Sequence, residues 1–371
     1  MKRKVKIASL IWYKFLPVHF GGQKVIDSLN TLLSSEFDFI VICSKNNFAN
    51  SQLQFPLLNV LPISKWQILN PLVWLKIVRV LNHYQITHLV LEHPYHVITA
   101  QLAKWFLKIK LIHHVHNIEH IRFKYFKNIQ FHLIEILEKW MFKISNLNIF
   151  LSQEDEQYAI SNKLIKSESS FILPYIITEK DVANKLLVQQ KIKQHLNISK
   201  ETNILFFNGT LDYKPNSEAI ENIFEKIVLE LNQTNIDFKI IICGRIENEE
   251  SQYLKKYFNQ QIIYAGHVDN IEEYFLTADV YINPVQVGFG VQTKILEALS
   301  YHLPVVCFKS ILNGIETSLC KEKLFIASNW HSFNSNIIEA LQCAQNLQTH
   351  FFEFYNINSY SSSLKKRIES L

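Results

Sequence analysis

Glycine is scarce in this chain, with eight residues in 371: Gly21, Gly22, Gly209, Gly244, Gly266, Gly288, Gly290 and Gly314. A sequence so poor in the residue that best tolerates positive φ and close backbone approach keeps each glycine where one of these is needed. Five of the eight stand at the end of an apolar strand-like run or just past one. Cysteine is sparse as well. Cys43, Cys243, Cys307, Cys320 and Cys343 are odd in number and form no C-x-x-C, which excludes a disulfide framework and a cysteine metal site and fits a reduced, cytoplasmic setting. No uncharged apolar window of 18 residues occurs, so no membrane-spanning helix is expected. The basic start Met1–Lys6 is followed by an apolar run that breaks at Lys14 without a small-residue cleavage site. It reads as a cap on a first strand rather than a signal peptide. What remains, 48% hydrophobic and 19% charged residues, is enough core for two ordinary domains.

Short apolar runs alternate with helical patterns throughout. Runs of strand length lie at Val5–Trp12, Phe39–Cys43, Leu89–Leu91, Leu111–Val115, Leu147–Leu151 and Phe171–Leu173. Helical periodicity covers Val25–Leu33, Leu72–His83, Ile98–Phe106 and Phe131–Phe142. After Pro174 and a polar helical segment, Glu179–Lys200, the alternation resumes. Strands are expected at Ile204–Phe207, Phe238–Cys243, Gln261–Ala265, Val280–Asn283 and Val305–Phe308, and two helical patterns in Asn336–Leu371. Such alternation predicts an α/β fold of two doubly wound parallel sheets, whose ligands bind beyond the carboxyl ends of the strands. The domains expected are 1–174, 175–350, and a C-terminal helix at 351–371 that packs back on the first.

Charge divides unevenly. Residues 1–170 hold 20 Lys plus Arg against 11 Asp plus Glu, a net of +9; the remainder holds 18 against 22, a net of −4, and the two sum to the +5 of the chain. The basic half mixes aromatics with its lysines, as in Lys104-Trp-Phe-Leu-Lys-Ile-Lys110. This suits an anionic membrane surface or a phosphorylated acceptor as much as a solvated helix face. No nucleic-acid module is present, and nucleic acid is not expected as a partner.

Four stretches carry chemistry. Phe20-Gly21-Gly22-Gln23 reads as a loop between the first strand and first helix where backbone amides approach a diphosphate or sugar. It is not a G-x-G-x-x-G dinucleotide site. In the second stretch, 111–122, period-two alternation puts His114 and His116 on one face and His113 on the other. No Asp or Cys stands at ligand spacing, so no metal is expected. His113 and His114 read as structural, and His116, last before the loop, as a polar substrate contact. Glu119 and Arg122 follow three residues apart, as acceptor-side candidates or simply a pair. The third stretch is Asn208–Asn216, where Gly209 and Thr210 end a strand, Lys214 offers a point charge to phosphate, and Asn216 and Ser217 look like a helix cap. The fourth is a strand, Val280–Asn283, then a loop with Gly288 and Gly290, then a helix start at Val291, Gln292, Thr293 and Lys294, with Glu297 inside. Backbone amides and the positive helix end favour an anion there, and the Glu297 carboxylate would accept hydrogen bonds from ribose hydroxyls.

In this order and spacing, the stretches resemble glycosyltransferase family 4 (glycosyl transferases group 1), of the retaining GT-B type. In register are Gly21-Gly22, His116, Gly209-Thr-Leu with Lys214, Gly266-His-Val-Asp-Asn, Ala278-Asp-Val-Tyr-Ile-Asn-Pro, Gly288-x-Gly, Glu297-Ala-Leu and Leu303-Pro-Val-Val. The resemblance implies two Rossmann-like domains facing a central cleft. It implies a nucleotide-sugar donor held mainly by the second domain and a glycan or lipid-linked acceptor met by the first. It implies catalysis by His116, Lys214 and Lys294, without metal or other cofactor. Donor binding would fall to Gly21, Gly22, Gly209, Thr210, Gly288, Gly290, Val291, Gln292, Thr293 and Glu297. A cytoplasmic or peripheral membrane enzyme of bacterial surface polysaccharide synthesis is the implied setting. Two departures stand out: Phe289 where the family commonly has glutamate, and Thr210 where it has arginine. They keep open a non-catalytic partner protein, and a nucleotide-sugar epimerase shares the fold.

Overall fold

The computed structural model describes residues 4–18, 21–48 and 53–371; Phe20, which opens the paired-glycine stretch, lies outside them. The chain forms two units, one of residues up to Ile176 together with Asn356–Leu371, the other Ile177–Tyr355.

Unit 1 is a seven-stranded parallel sheet in the order β3-β2-β1-β4-β5-β6-β7. Its strands are β1 (Lys6–Ile11), β2 (Asp38–Ser44), β3 (Leu57–Leu61), β4 (His88–Glu92), β5 (Lys110–Val115), β6 (Leu147–Phe150) and β7 (Ser170–Ile172). Helices cover both faces: α1 (Gly21–Glu36), α2 (Pro71–His83), α3 (Val97–Leu107), α4 (Glu119–Tyr125), α5 (Phe131–Ile144) and α6 (Gln153–Ser161). Because strand side chains alternate, Ile7 and Ile11 face one core with Ile26, Leu29 and Leu33, while Ala8 and Leu10 face the other with Val73, Ile77 and Leu81. Each large side chain so buried contributes about 1.5–3 kcal/mol. Local chemistry sets the helix starts. Asn70 caps α2 by accepting from Leu72 N–H, with Pro71 at the first position, and Ser152 caps α6 through Asp155 N–H. The last helix of the chain packs its Leu364 and Ile368 into the core beside α1.

Unit 2 repeats the plan with six parallel strands in the order β10-β9-β8-β11-β12-β13. They are β8 (Asn203–Asn208), β9 (Phe238–Cys243), β10 (Ile262–Gly266), β11 (Val280–Asn283), β12 (Val305–Phe308) and β13 (Leu324–Ala327). The helices are α7 (Lys185–His195), α8 (Lys214–Asn222) continuing through a π-helical stretch into α9 (Leu229–Leu231), α10 (Ile271–Thr277), α11 (Thr293–Ser300), α12 (Trp330–Leu341) and α13 (Thr349–Phe354). The C-terminal helix of unit 1 is α14 (Asn358–Glu369). In both sheets the first strand of the unit lies beside the fourth, and strand order reverses between them. Those switch points, β1/β4 and β8/β11, are where open α/β sheets bind ligands.

Three sequence expectations need correction. Gly21 and Gly22 form the first turn of α1, not a loop. The turn is exposed or half-buried, so the apolar period that marks the helix becomes visible only at Val25. Asn216 and Ser217 lie inside α8, which begins at Lys214 with Pro215 in its first turn. Asn216 Nδ2 instead donates to Thr210 O at 2.8 Å. The C-terminal stretch is three helices rather than two. After α12 the chain leaves helical geometry, and Leu347 N–H donates to His302 Nδ1 at 3.2 Å.

Candidate functional site

The carboxyl edge of unit 2 is built from backbone. β8 and β9 are followed directly by Gly209 and Gly244, β10 ends in Gly266, and the loops beyond them interlock. Gly209 N–H donates to Cys243 O (3.0 Å), Leu211 N–H to Arg245 O (3.0 Å) and Gly244 N–H to Gly266 O (2.8 Å). A Cβ on Gly244, whose φ is +157°, would collide with Gly209 O, so only glycine permits the approach. Asp212 laces the β8 loop to the β9 loop by accepting from Glu247 N–H and Asn248 N–H, and Arg245 Nη2 lies 2.8 Å from His267 Nε2.

At the β8/β11 switch point this backbone surface meets one cation. A Cβ on Gly209 would lie 2.6 Å from Lys294 Nζ and 2.7 Å from Asn216 Nδ2, so the ammonium rests directly against the glycine. Lys294 reaches there from the first turn of α11, over the Phe207 ring. Burial lowers its pKa to about 8, and the Glu297 carboxylate one turn on offsets part of that fall. Helix α11 starts at Thr293 with no side-chain cap from Gln292; the Thr293 and Ile295 N–H groups donate to Val291 O and Gln292 O, each at 2.9 Å. Gly290 supplies the turn at φ +63°, and the Gln292 amide packs where a Cβ on Gly288 would stand. Below, Tyr281 Oη donates to Asn208 Oδ1 at 3.0 Å, and Asn283 Oδ1 is buried without a protein partner. Thr210 is exposed and Val291 half-buried beside this group. Lys214 stands apart from it in character. Its side chain is 73% exposed and pairs with Glu218 at 3.7 Å.

The carboxyl edge of unit 1 is built from side chains. Glu92 ends β4, and sheet pairing sets it level with His114 on β5. Its Oε2 lies 2.9 Å from His114 Nδ1 and 2.7 Å from His116 Nε2. Burial opposes ionisation of Glu92, but the two histidines outweigh it and hold the carboxyl well below its usual range. His93, next after the strand, has a strained backbone for a non-glycine residue (φ 70°, ψ 164°). Its ring lies 4.6 Å from that of His116, with Nε2 3.2 Å from Tyr13 Oη and Nδ1 3.5 Å from Glu119 Oε1. Burial, reinforced by His116, pushes the His93 pKa well down. Glu119 is buried and accepts from Arg122 Nη2 at 2.5 Å and Tyr95 Oη at 3.4 Å, while a third of Arg122 stays exposed. His113 points to the other face, edge-on to Phe142, where burial lowers its pKa to about 3. Helix α4 has no cap of its own at Ile118. Glu138 from α5 supplies one, accepting from Glu119 N–H at 2.8 Å and His120 N–H at 3.2 Å.

Sequence reasoning missed Glu92, His93, Tyr13 and Glu138. Glu92-His-Pro directly after the apolar run Leu89–Leu91 was the available signal for the first two. Gly22 has no positive φ, and a Cβ on it would meet open space, so the fold itself does not require glycine at that position.

Residues 202–343 match the sequence model of the Glycosyl transferases group 1 family. No curated protein matches the chain by sequence. Among solved structures, the chain is similar to the Anabaena protein HepE in complex with UDP, at 15% identity and a TM-score of 0.73 over 99% of this chain and 100% of that one. It is similar to sucrose-phosphate synthase from Thermosynechococcus elongatus, at 13% identity and a TM-score of 0.71 over 98% of each. It is also similar to WaaG, a glycosyltransferase involved in lipopolysaccharide biosynthesis, at 14% identity and a TM-score of 0.67 over 97% and 98%. The fold is that of the GT-B glycosyltransferases.

Proposed function

We propose that this chain, whose residues 202–343 match the sequence model of the Glycosyl transferases group 1 family, transfers a sugar from a nucleoside-diphosphate sugar to a glycan or lipid-linked acceptor with retention. The observation that carries the reading is the seat of Lys294: a buried ammonium against Gly209, at the switch point, beside an uncapped helix start. In this reading the amides at Gly290, Val291 and Gln292 and the Thr293 hydroxyl hold the diphosphate, and Lys294 neutralises the charge that grows on it as the glycosidic bond breaks. No metal serves that role. Lys214 adds an outer positive charge, Glu297 accepts from ribose hydroxyls, and Gly209, Thr210 and Gly288 leave room for backbone contact. Gly21 and Gly22 open the N-terminus of α1 in the same way. His116 meets a sugar hydroxyl, and Arg122, oriented by Glu119, meets the acceptor. HepE, of the same fold, has been solved with UDP and with UDP-glucose, which supports a uridine diphosphate donor as the first to test.

The setting we propose is the cytoplasmic face of a membrane, in surface polysaccharide synthesis. Among the described residues no helix is long and apolar enough to cross a membrane. Unit 1 offers a surface instead. No Asp or Glu occurs between Asp38 and Glu92, while Lys45, Lys65, Lys76 and Arg79 do. Helix α2 buries Val73, Ile77 and Leu81 and exposes Leu72, Leu75, Lys76 and Arg79, with Ile63, Trp66 and Leu69 exposed just before it. Each basic residue near an anionic surface is worth about 1 kcal/mol. Sedimentation with phosphatidylglycerol vesicles should carry the protein down and phosphatidylcholine vesicles should not; equal behaviour with both would refute this face.

Titration calorimetry with UDP and GDP tests the main reading. One nucleotide should bind, and Glu297→Ala should weaken it about tenfold, the worth of a charge-assisted hydrogen bond. Absence of binding to either nucleotide by the wild type would sink the transferase reading.

A further inference from the structure

The buried cluster of Glu92, His114 and His116 answers first to a metal reading, since two histidines and a carboxylate form a common ligand set. The distances decide against it. Zinc holds its ligands at about 2.0–2.2 Å, which sets neighbouring donors of a tetrahedron roughly 3.3 Å apart. Here one oxygen, Glu92 Oε2, touches both nitrogens at 2.7 and 2.9 Å, the separations of hydrogen bonds. A carboxylate only accepts, so both nitrogens that face it carry hydrogen. His114 is then protonated at Nδ1, and its other nitrogen is buried without a partner. His116 is protonated at Nε2. In the neutral ring this leaves Nδ1 as a bare acceptor, on the edge turned away from Glu92. The ring is also held from its sides, by His93 at 4.6 Å and His114 at 4.7 Å between ring centres.

We infer that Glu92 is the positioning residue of His116: it turns the ring and fixes the Nε2–H tautomer, so that Nδ1 is presented to a donor O–H of the sugar. This rests on the proposed reading that His116 meets a sugar. It also explains why a carboxylate is kept in the core at the end of β4, where an unpaired charge would be costly.

Long-range proton–nitrogen NMR of the full chain tests the tautomer directly, with His116→Gln identifying the ring's signals. The expected result is an Nε2–H tautomer at His116 in the wild type, shifted in Glu92→Gln, whose amide accepts at one atom and donates at the other. Turnover of UDP-glucose should fall about 10- to 100-fold in kcat for Glu92→Gln, the cost of a misplaced contact. The Kd for UDP should stay within about twofold, because Glu92 bonds to His114 and His116 and to none of the groups assigned to the nucleotide. An Nδ1–H tautomer in the wild type would overturn the inference. So would an undiminished kcat in Glu92→Gln, or one equivalent of zinc retained through chelation and lost in that variant. If Glu92→Gln does not fold, the wild-type tautomer and metal content decide. UDP binding by the wild type tests the transferase reading separately.

Discussion

The two units share a strand order and a switch point, yet they furnish the carboxyl edge in opposite ways. Unit 2 clears it. Three strands end in or just before a glycine, the loops bond to each other through backbone, and a single ammonium stands against Gly209. Unit 1 crowds it. Glu92, His93, His114, His116 and Glu119 are nearly all engaged with one another behind Tyr13, Tyr95 and Arg122. An edge of amides with one buried cation suits a rigid polyanion such as a diphosphate. An edge of oriented imidazole suits hydroxyl groups, where both donors and acceptors are wanted. The fold says where ligands come; the side chains left at the strand ends say which kind.

The comparison breaks if changes in one unit act like changes in the other. The largest effect is expected from Glu138→Ala in unit 1. It strips the only side-chain cap seen on α4 and leaves two buried N–H groups open, at about 2–4 kcal/mol of stability. Denaturant unfolding should show that loss, while the folded fraction binds UDP as before. Next is Gly209→Ala in unit 2, whose Cβ displaces the Lys294 ammonium and the Asn216 amide. UDP affinity should fall about tenfold in calorimetry, with a stability cost of about 1–2 kcal/mol from overpacking. The smallest is Lys214→Ala. An exposed lysine paired along its own helix should change UDP affinity by about twofold or less. A Lys214→Ala effect larger than that of Gly209→Ala would reverse the ranking of the two cations.

Much of this was legible in the sequence because it is local. The strand-ending glycines stand out in a chain that has few, and Val280–Glu297 contains a strand, a turn and a helix start within one stretch. Seven-residue α10 and the edge strands β3 and β13 were not legible: their runs are short, and β3 is only half-buried along most of its length, so apolar periodicity is weak. The carboxylates of unit 1 were hidden for a different reason. Glu92 meets His114 across 22 positions, through sheet register, and Glu138 caps α4 from 18 or 19 positions away. A reading that looks for acid partners at ligand spacing along the chain passes over both. Register is a property of the folded sheet, fixed by which faces are buried.

The seat of Lys294 makes a prediction in protons. Its folded pKa is about 8, against about 10.4 for an ordinary lysine. Between those values the unfolded chain binds more protons than the folded one, so stability should rise with pH across that window. At neutral pH, burying the charge costs on the order of 3 kcal/mol at most. A diphosphate beside the ammonium restores the proton. Calorimetric titration of UDP at about pH 8.5, in buffers of different ionisation enthalpy, measures that directly, since the diphosphate itself is already ionised there. The account predicts uptake of a fraction of one proton by the wild type, none by Lys294→Met, and affinity about 10- to 100-fold weaker in that variant. UDP binding without proton uptake, or at undiminished affinity in Lys294→Met, would contradict it.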